Sequence, residues 1–419
     1  MEEKAYLCID LKSFYASVEA VDRGLDPFRA NLVVADAARG KGAICLAITP
    51  AMKALGIRNR CRLFEIPETV DYIAAKPRMK RYMEMSAEIY SIYLRYIAKE
   101  DILVYSIDEC FFDITPYLAL YGKTPEKIAC MITDAVLRET GITASVGIGT
   151  NLFLAKVAMD ITAKHAENHI GILDEKSFRE TLWHHTPITD FWNIGPGIAR
   201  RLSKYGIYDM YGVAHMEERV LYREFGINAE YLIDHAHGRE PCTIAEIHAY
   251  TPSATSLSNG QILFSDYTAK DGELIVKEMA DTLSLELLDR GMKTDTVSLS
   301  VGFSGEGGAG GSMRLSAFTD SPRRLTAAFL SLYRMHVPSD ALVRRITLCF
   351  GRLESGEFVN YDMFSQYEAD DREREKQKAI LSLRKRFGKN AVVRGMNLEE
   401  KATGIERNKM IGGHRSGET

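Results

Sequence analysis

Residues 102–115 read ILVYSIDECFFDIT, with two adjacent acids, Asp108 and Glu109, inside an otherwise apolar and aromatic run. Ile102, Leu103, Val104 and Tyr105 before them, and Phe111, Phe112 and Ile114 after them, have the β-branched and aromatic makeup of buried strands. A carboxylate taken out of water without a partner is costly or is neutralised by a pKa shift, so a positive group is expected beside the pair. Adjacent residues of a regular strand point to opposite faces, and two neighbouring acids serve one ligand only where a strand ends. LVYSIDECFFDI is short enough to be a hairpin with the acids near its tip. A third acid, Asp10, ends another strand-like run, AYLCID. Three carboxylates at strand ends on one sheet are what a two-metal phosphoryl-transfer site needs, because hard Mg²⁺ ions take oxygen ligands and leave positions for water and substrate phosphates.

The rest of the chain narrows the class. At 419 residues, three or four domains are expected, and 46% hydrophobic residues allow a large core. A formal charge of -4 and a pI near 6.2 give no global sign of a nucleic-acid binder, so any DNA contact must come from local clusters. The seven cysteines include no CxxC pair, which argues against a zinc site or a disulfide framework. The opening MEEKAYLCIDLKSF has acids where a signal peptide has basic residues, and no apolar run is long enough to span a bilayer. A soluble cytoplasmic protein with no membrane partner is expected. Absence of a GxxxxGK[ST] pattern argues against an ATP-driven helicase.

Residues up to about 170 read as mixed α/β, with Ser13 as a cap and Gly24 as a stop for the first helix. PRMKRYMEMSAEIYSIYLRYIA is a long helix with Met79, Met83, Ser86, Tyr90 and Tyr93 on one stripe. TASVGIGT is a strand running into the helix NLFLAKVAMDITAK. Residues 171–237 read as all-helical, and the polar, proline-punctuated segment that follows reads as a connector. Beyond it, strands and helices alternate as a second α+β domain, with GEGGAGGS as a flexible hairpin or loop tip. From about 356 the chain is polar and charge-dense; EADDREREKQKAILSLRKRFGKN can form a helix, and the final GGHRSGET is expected to be disordered.

CIDLKSFYASVE, YSIDECFFDIT, SVGIGTNLFLAKVAMDITAKH and FWNIGPGIARRL stand in the order found in the Y-family translesion DNA polymerases, the DinB/UmuC group. The linked set covers roughly residues 1–355 and resembles the UmuC type more than the DinB type. The resemblance implies an α+β multidomain, right-handed polymerase fold. Its palm is residues 1–24 and 71–170, its small fingers 25–70, and its helical thumb with a helix-hairpin-helix 171–237. A linker at 238–244 leads to a separate α+β little-finger DNA-binding domain at 245–355, and a C-terminal tail occupies 356–419.

By the same resemblance Asp10, Asp108 and Glu109, with the backbone carbonyl of Leu11, are ligands of two Mg²⁺ ions. Tyr15 is the steric gate against ribonucleotides, with Phe14 beside it, and Lys53 and Lys164 hold the triphosphate. Lys53 stands where many members have arginine, and His165 replaces a frequent proline. Gly195 and Gly197 let backbone N–H groups approach a DNA phosphate, with Arg200, Arg201 and Lys204 adding charge. Residues 242–355 hold 11 Lys and Arg against 13 Asp and Glu, so pairs such as Arg323 with Arg324 and Arg344 with Arg345 must meet DNA locally. NYDMF resembles a peptide that docks on the sliding clamp (β subunit), through Asn360, Met363 and Phe364.

The implied activity is low-fidelity, template-directed synthesis across damaged bases from dNTPs on primer-template DNA. It is expected to lack proofreading and to work with the clamp and a UmuD-like accessory protein. Two other readings stay open. One is a nucleotidyl cyclase, whose GG[DE]EF signature is absent; the other is a catalytically silent accessory protein that binds DNA and the clamp.

Overall fold

AYLCID forms β1 (Tyr6–Leu11), and α1 (Phe14–Val21) follows after a short turn. Next come β2 (Leu32–Val34), β3 (Ala47–Ile48), the short helix α2 (Pro50–Ala54) and β4 (Ile73–Ala75). The long helix α3 (Met79–Tyr93) leads into β5 (Ile102–Val104) and β6 (Glu109–Asp113), and then α4 (Thr115–Tyr121) and α5 (Pro125–Thr140). β7 (Ala144–Gly149), α6 (Leu152–Val157) and β8 (Ile170–Leu173) complete this region. A helical cluster follows, made of α7 (Glu175–Leu182), α8 (Pro196–Ser203), α9 (Met210–Ala214), α10 (Glu218–Phe225), α11 (Ala229–Ala236) and α12 (Ile244–Ala249). This is a computed structural model that describes residues 4–251, 255–356 and 367–417. The chain divides into one unit ending at Thr251 and another beginning at Pro252.

In the first unit a five-stranded sheet has the order β5-β6-β1-β7-β8, with β1 central and antiparallel to both neighbours. β2, β3 and β4 form a separate three-stranded sheet around Val33, Ile48 and Met52. The second unit holds β9 (Ser256–Thr268), α13 (Ala269–Asp289), β10 (Met292–Phe303), β11 (Gly308–Thr319), α14 (Pro322–His336) and β12 (Leu342–Ser355). Its antiparallel sheet has the order β11-β10-β12-β9, and its core gathers Leu283, Val297, Leu299, Phe329, Leu332 and Phe350. Then come α15 (Tyr367–Phe387), α16 (Gly404–Asn408), and a two-strand hairpin of β13 (Met410–Ile411) with β14 (His414–Arg415).

Several expectations shift. The all-helical stretch starts after 173, because β8 joins the sheet parallel to β7. Gly171 allows this close fit: a Cβ there would meet the Ala158 carbonyl at 2.3 Å. The expected connector is helical at its end. Thr243 and Glu246 form the reciprocal cap of α12, and Ile244 is buried beside Tyr6 and Phe111. Ser13 makes no cap bond; it sits in the left-handed region at φ 50°, while Ser17 Oγ donates to the Lys12 carbonyl at 2.6 Å.

The buried row of α3 is Met79, Tyr82, Met85, Ile89, Ile92 and Tyr93, with Met83 half exposed. That row wins because Tyr82 finds an acceptor in Glu19 for its hydroxyl, at 2.8 Å. Most of the glycine-rich stretch is strand. Side chains at Gly308 and Gly310 would meet the carbonyls of Val301 and Leu299, so glycine there serves close strand pairing.

The tail departs most from expectation. Glu278 of α13, 4% exposed, accepts from Asn397 Nδ2 at 2.6 Å, Thr403 N–H at 2.8 Å and Gly404 N–H at 3.0 Å. Arg394 lies 2.7 Å from Asp281, and Arg374 pairs with Asp320. The tail supplies the donors of these acids. Ending the chain at residue 366 should therefore lower the melting temperature of the second unit by several degrees, since buried acceptors lose their partners at about 1–3 kcal/mol each. Calorimetry of the two lengths checks this.

Candidate active site

Across β1 and β6, Asp10 stands directly opposite Glu109, with Ser145 of β7 on its other side. Residues in register share a face of the sheet, so the two carboxylates point the same way. Asp108 occupies the turn before β6. Its carbonyl accepts from the Leu11 N–H at 2.9 Å, and its carboxylate accepts from Ser106 Oγ at 2.7 Å. Ser86 of α3 pins this turn by donating to the Ile107 carbonyl at 2.6 Å.

The positive group is Lys156 of α6. Its Nζ lies 2.9 Å from Glu109 Oε1, 3.0 Å from Oε2 and 2.9 Å from Asp160, and the lysine and glutamate side chains are each 9% exposed. Cys8, two residues before Asp10 on the same face, donates its thiol proton to Glu109 Oε1 at 3.2 Å. Burial, then the charge of Glu109, pushes the Cys8 thiol well above its ordinary range, which keeps it a donor. Glycine brings the helix this close. A Cβ on Gly147 would lie 1.9 Å from the Ala155 carbonyl, and one on Gly149 2.3 Å from the Ala155 nitrogen. SVGIG thus lets α6 rest on the sheet backbone, and Lys156 reaches Glu109 from below.

Asp10 is left differently. Its carboxylate has no hydrogen-bond or ion-pair partner among the described residues, and burial, then Asp108 and Glu109, pushes its pKa up to about 7. Among the described residues, no three His, Cys, Asp or Glu side chains are gathered as a ready-made metal cage. The hydrogen bonds give the reason: Glu109 is turned to Lys156 and Asp108 to Ser106. The donor set still fits a hard divalent cation, because a largely buried, unpartnered carboxylate flanked by two more offers the oxygen ligands such an ion takes.

Lys12 and Lys53 both sense the charge of Asp10, and Lys164 lies near Lys53. Burial, then the charge of Lys53, lowers Lys12 to about 8, and burial also lowers Lys53, whose charge senses both Asp10 and Lys164. Lys164, in the short turn Ala163–His165, is exposed. Acids in the centre with lysines around them suit a polyphosphate carried with cations. Tyr15 stands on the first turn of α1, stacked on Tyr82 with ring centroids 4.5 Å apart, while Phe14 beside it is buried. Of the residues singled out in the sequence, Asp10, Leu11, Phe14, Tyr15, Lys53, Asp108, Glu109 and Lys164 therefore belong to one region.

Gly195, Gly197, Arg200 and Arg201 stand apart, at α8. Gly195 is the N-cap, and neither glycine has an atom within 4 Å of where a Cβ would be, so this helix start is open. Arg200 is exposed, whereas Arg201 pairs with Glu224 at 2.8 Å and lies over the Phe225 ring, which commits it to the helical cluster. Asn360, Met363 and Phe364 lie outside the described residues. The sequence reading missed Lys156, Lys12 and Cys8. The available signal for Lys156 was a lone lysine in the apolar run NLFLAKVAM, where a buried cation needs a buried acid.

Replacing Lys156 with Met should cost about 3–5 kcal/mol in urea unfolding, as expected when a buried pair loses one partner. The pH behaviour of Asp10 also has a definite sign. With its folded pKa near 7 and an ordinary value of 3.8, the folded state holds a proton that the unfolded chain has lost, and stability falls as pH rises from about 4 to about 7. Metal-free Asp10→Asn protein should therefore melt a few degrees above the native chain at pH 8, and the gap should close toward pH 4.

Residues 9–160 match the impB/mucB/samB family, and residues 254–363 match the impB/mucB/samB family C-terminal domain. The chain is 31% identical to UvrX of Bacillus subtilis (strain 168) over 99% of this chain and 98% of that protein. It is 30% identical to DNA polymerase IV 2 of the same organism over 99% of both chains. A Y-family DNA polymerase chimera of known structure superposes with a TM-score of 0.65 at 18% identity, covering 84% of this chain and 99% of that one, which shows a shared fold. The chain therefore belongs to the impB/mucB/samB family, the Y-family translesion DNA polymerases, which are DNA-directed DNA polymerases.

Proposed function

We propose that this chain adds dNMPs to a primer 3′-hydroxyl opposite damaged template bases, with Asp10, Asp108 and Glu109 as its reaction centre. The observation that carries this is the in-register facing of Asp10 and Glu109, with Asp108 in the adjoining turn and Asp10 unpartnered. These three carboxylates, with the Leu11 carbonyl, would hold two Mg²⁺ ions. Bound divalent cations supply neutralisation of the triphosphate and an acidified primer hydroxyl. Lys156 and Cys8 hold Glu109 from the buried side in the resting site, and a bound cation would draw it toward Asp10. Lys12, Lys53 and Lys164 draw the triphosphate over Asp10. Tyr15 lies against the sugar and excludes a 2′-hydroxyl by contact, with Phe14 as its buried support.

In this reading the five-stranded sheet is the palm, the small sheet of β2, β3 and β4 the fingers, and α7 to α11 the thumb. The second unit is the little finger, with its tail as an integral part. The open start of α8 at Gly195 and Gly197, with exposed Arg200, suits a duplex phosphate, while Arg201 serves the thumb itself. Low fidelity, absence of proofreading, docking of Asn360, Met363 and Phe364 on the sliding clamp, and a UmuD-like partner are the finer parts of the same proposal.

Primer extension on undamaged and abasic templates, with Mg²⁺, dNTPs, clamp and accessory factors, tests the reading. The native chain should pass the abasic position, and Asp108→Ala should lose at least about 10³-fold in rate while keeping its melting temperature and DNA affinity. Equal extension by a folded Asp108→Ala protein would remove the acids from the reaction.

A further inference from the structure

A steric gate can reject a single extra oxygen only if it does not yield by a fraction of an ångström. Tyr15 has little of its own to hold it: it stands near the start of a short helix, and its hydroxyl has no hydrogen-bond partner among the described residues. What holds it is the face of Tyr82, stacked at 4.5 Å with the ring planes 15° apart. Tyr82 is fully buried and cannot slide, because its hydroxyl donates to Glu19 Oε1 at 2.8 Å.

Glu19 is itself locked. Its side chain is fully buried, it takes a two-pronged bond from Arg78 at 2.8 and 3.0 Å, and it pairs with Arg23 one turn along α1. Arg78 also reaches Asp22 at 2.7 Å, and Arg81 meets the same Asp22 at 2.9 Å. The series Asp22, Arg78, Glu19, Tyr82 and Tyr15 joins α1 to the start of α3. A carboxylate buried this completely would be an expensive way merely to join two helices that already share apolar contacts. Its geometric product is an aromatic ring fixed in place behind Tyr15.

We infer that Tyr82, held by the Glu19–Arg78 pair, is a positioning residue for sugar selection, the rigid backing against which Tyr15 discriminates deoxyribose from ribose. This rests on the proposed gate role of Tyr15. The backing acts through Tyr15 and touches no substrate. Its loss should therefore appear in the sugar ratio more than in the deoxynucleotide rate.

The test is single-nucleotide insertion of dCTP and of CTP opposite template G, comparing the ratio of kcat/KM values. Tyr15→Ala serves as the reference. Tyr82→Met keeps an apolar, unbranched side chain but removes the flat face, and should lower discrimination by about tenfold. Tyr82→Phe keeps the flat face but loses the hydroxyl that ties it to Glu19, and should lower the ratio by about threefold. Should the methionine variant not fold, Arg78→Lys keeps the charge while losing the two-pronged grip, and should lower the ratio by about threefold. A native ratio in folded Tyr82→Met and Arg78→Lys proteins, with Tyr15→Ala relaxed, would overturn the inference and leave the gate standing. An unchanged ratio in Tyr15→Ala would instead sink the gate reading on which the inference depends.

Discussion

A lysine ammonium pressed between two acids beneath the central sheet is the interaction on which the arrangement depends. Glu109 sits on a strand flanked by apolar and aromatic residues, where an unpaired charge would be driven to take a proton. Lys156 pairs with it and holds it turned to one side, and Cys8 occupies the same oxygen from the neighbouring strand. None of this works unless α6 lies on the backbone of β7, which Gly147 and Gly149 permit and any side chain would prevent. A glycine spacing, a buried cation and the acid it pairs with are thus one constraint. The same packing leaves Asp10, directly opposite Glu109, with an unsatisfied carboxylate at the end of β1.

The two sides of the nucleotide site rest on different physics. The acid cluster is held by a buried ion pair and by sheet register, while the sugar side is held by aromatic stacking backed by the Glu19–Arg78 pair. The sugar side is fixed before any substrate is present, which lowers the ordering cost at binding, whereas Glu109 rests on Lys156 and Asp108 on Ser106. The surrounding lysines have no comparable anchoring. Lys164 is an exposed point charge, suited to following a polyphosphate as it enters and leaves.

Much of this was legible in the sequence, for identifiable reasons. The hairpin around Asp108 and Glu109, the strand ending at Asp10 and the helix carrying Tyr15 announce themselves through local alternation, turn length and four ordered motifs. What could not be read were partners distant in the chain. Glu278 and its donors at Asn397, Thr403 and Gly404 are separated by about 120 residues, so the tail read as polar excess rather than as a folded strap. The burial row of α3 also depended on a remote acceptor, Glu19, which chose Tyr82 over Met83 for the interior. β8 reads as the start of the helical cluster because a four-residue strand beside glycine carries little periodicity of its own.

The central claim is that Asp10, Asp108 and Glu109 together form a cation site whose geometry is set by Lys156. Electron paramagnetic resonance of Mn²⁺ titrated into the protein with dNTP and a dideoxy-terminated primer measures that site without turnover. The account predicts stoichiometric binding to the native chain, at least about tenfold weaker binding to Asp10→Asn, and an altered Mn²⁺ signal in Lys156→Met. Identical affinity and spectra in all three proteins, each folded and bound to DNA, would contradict it.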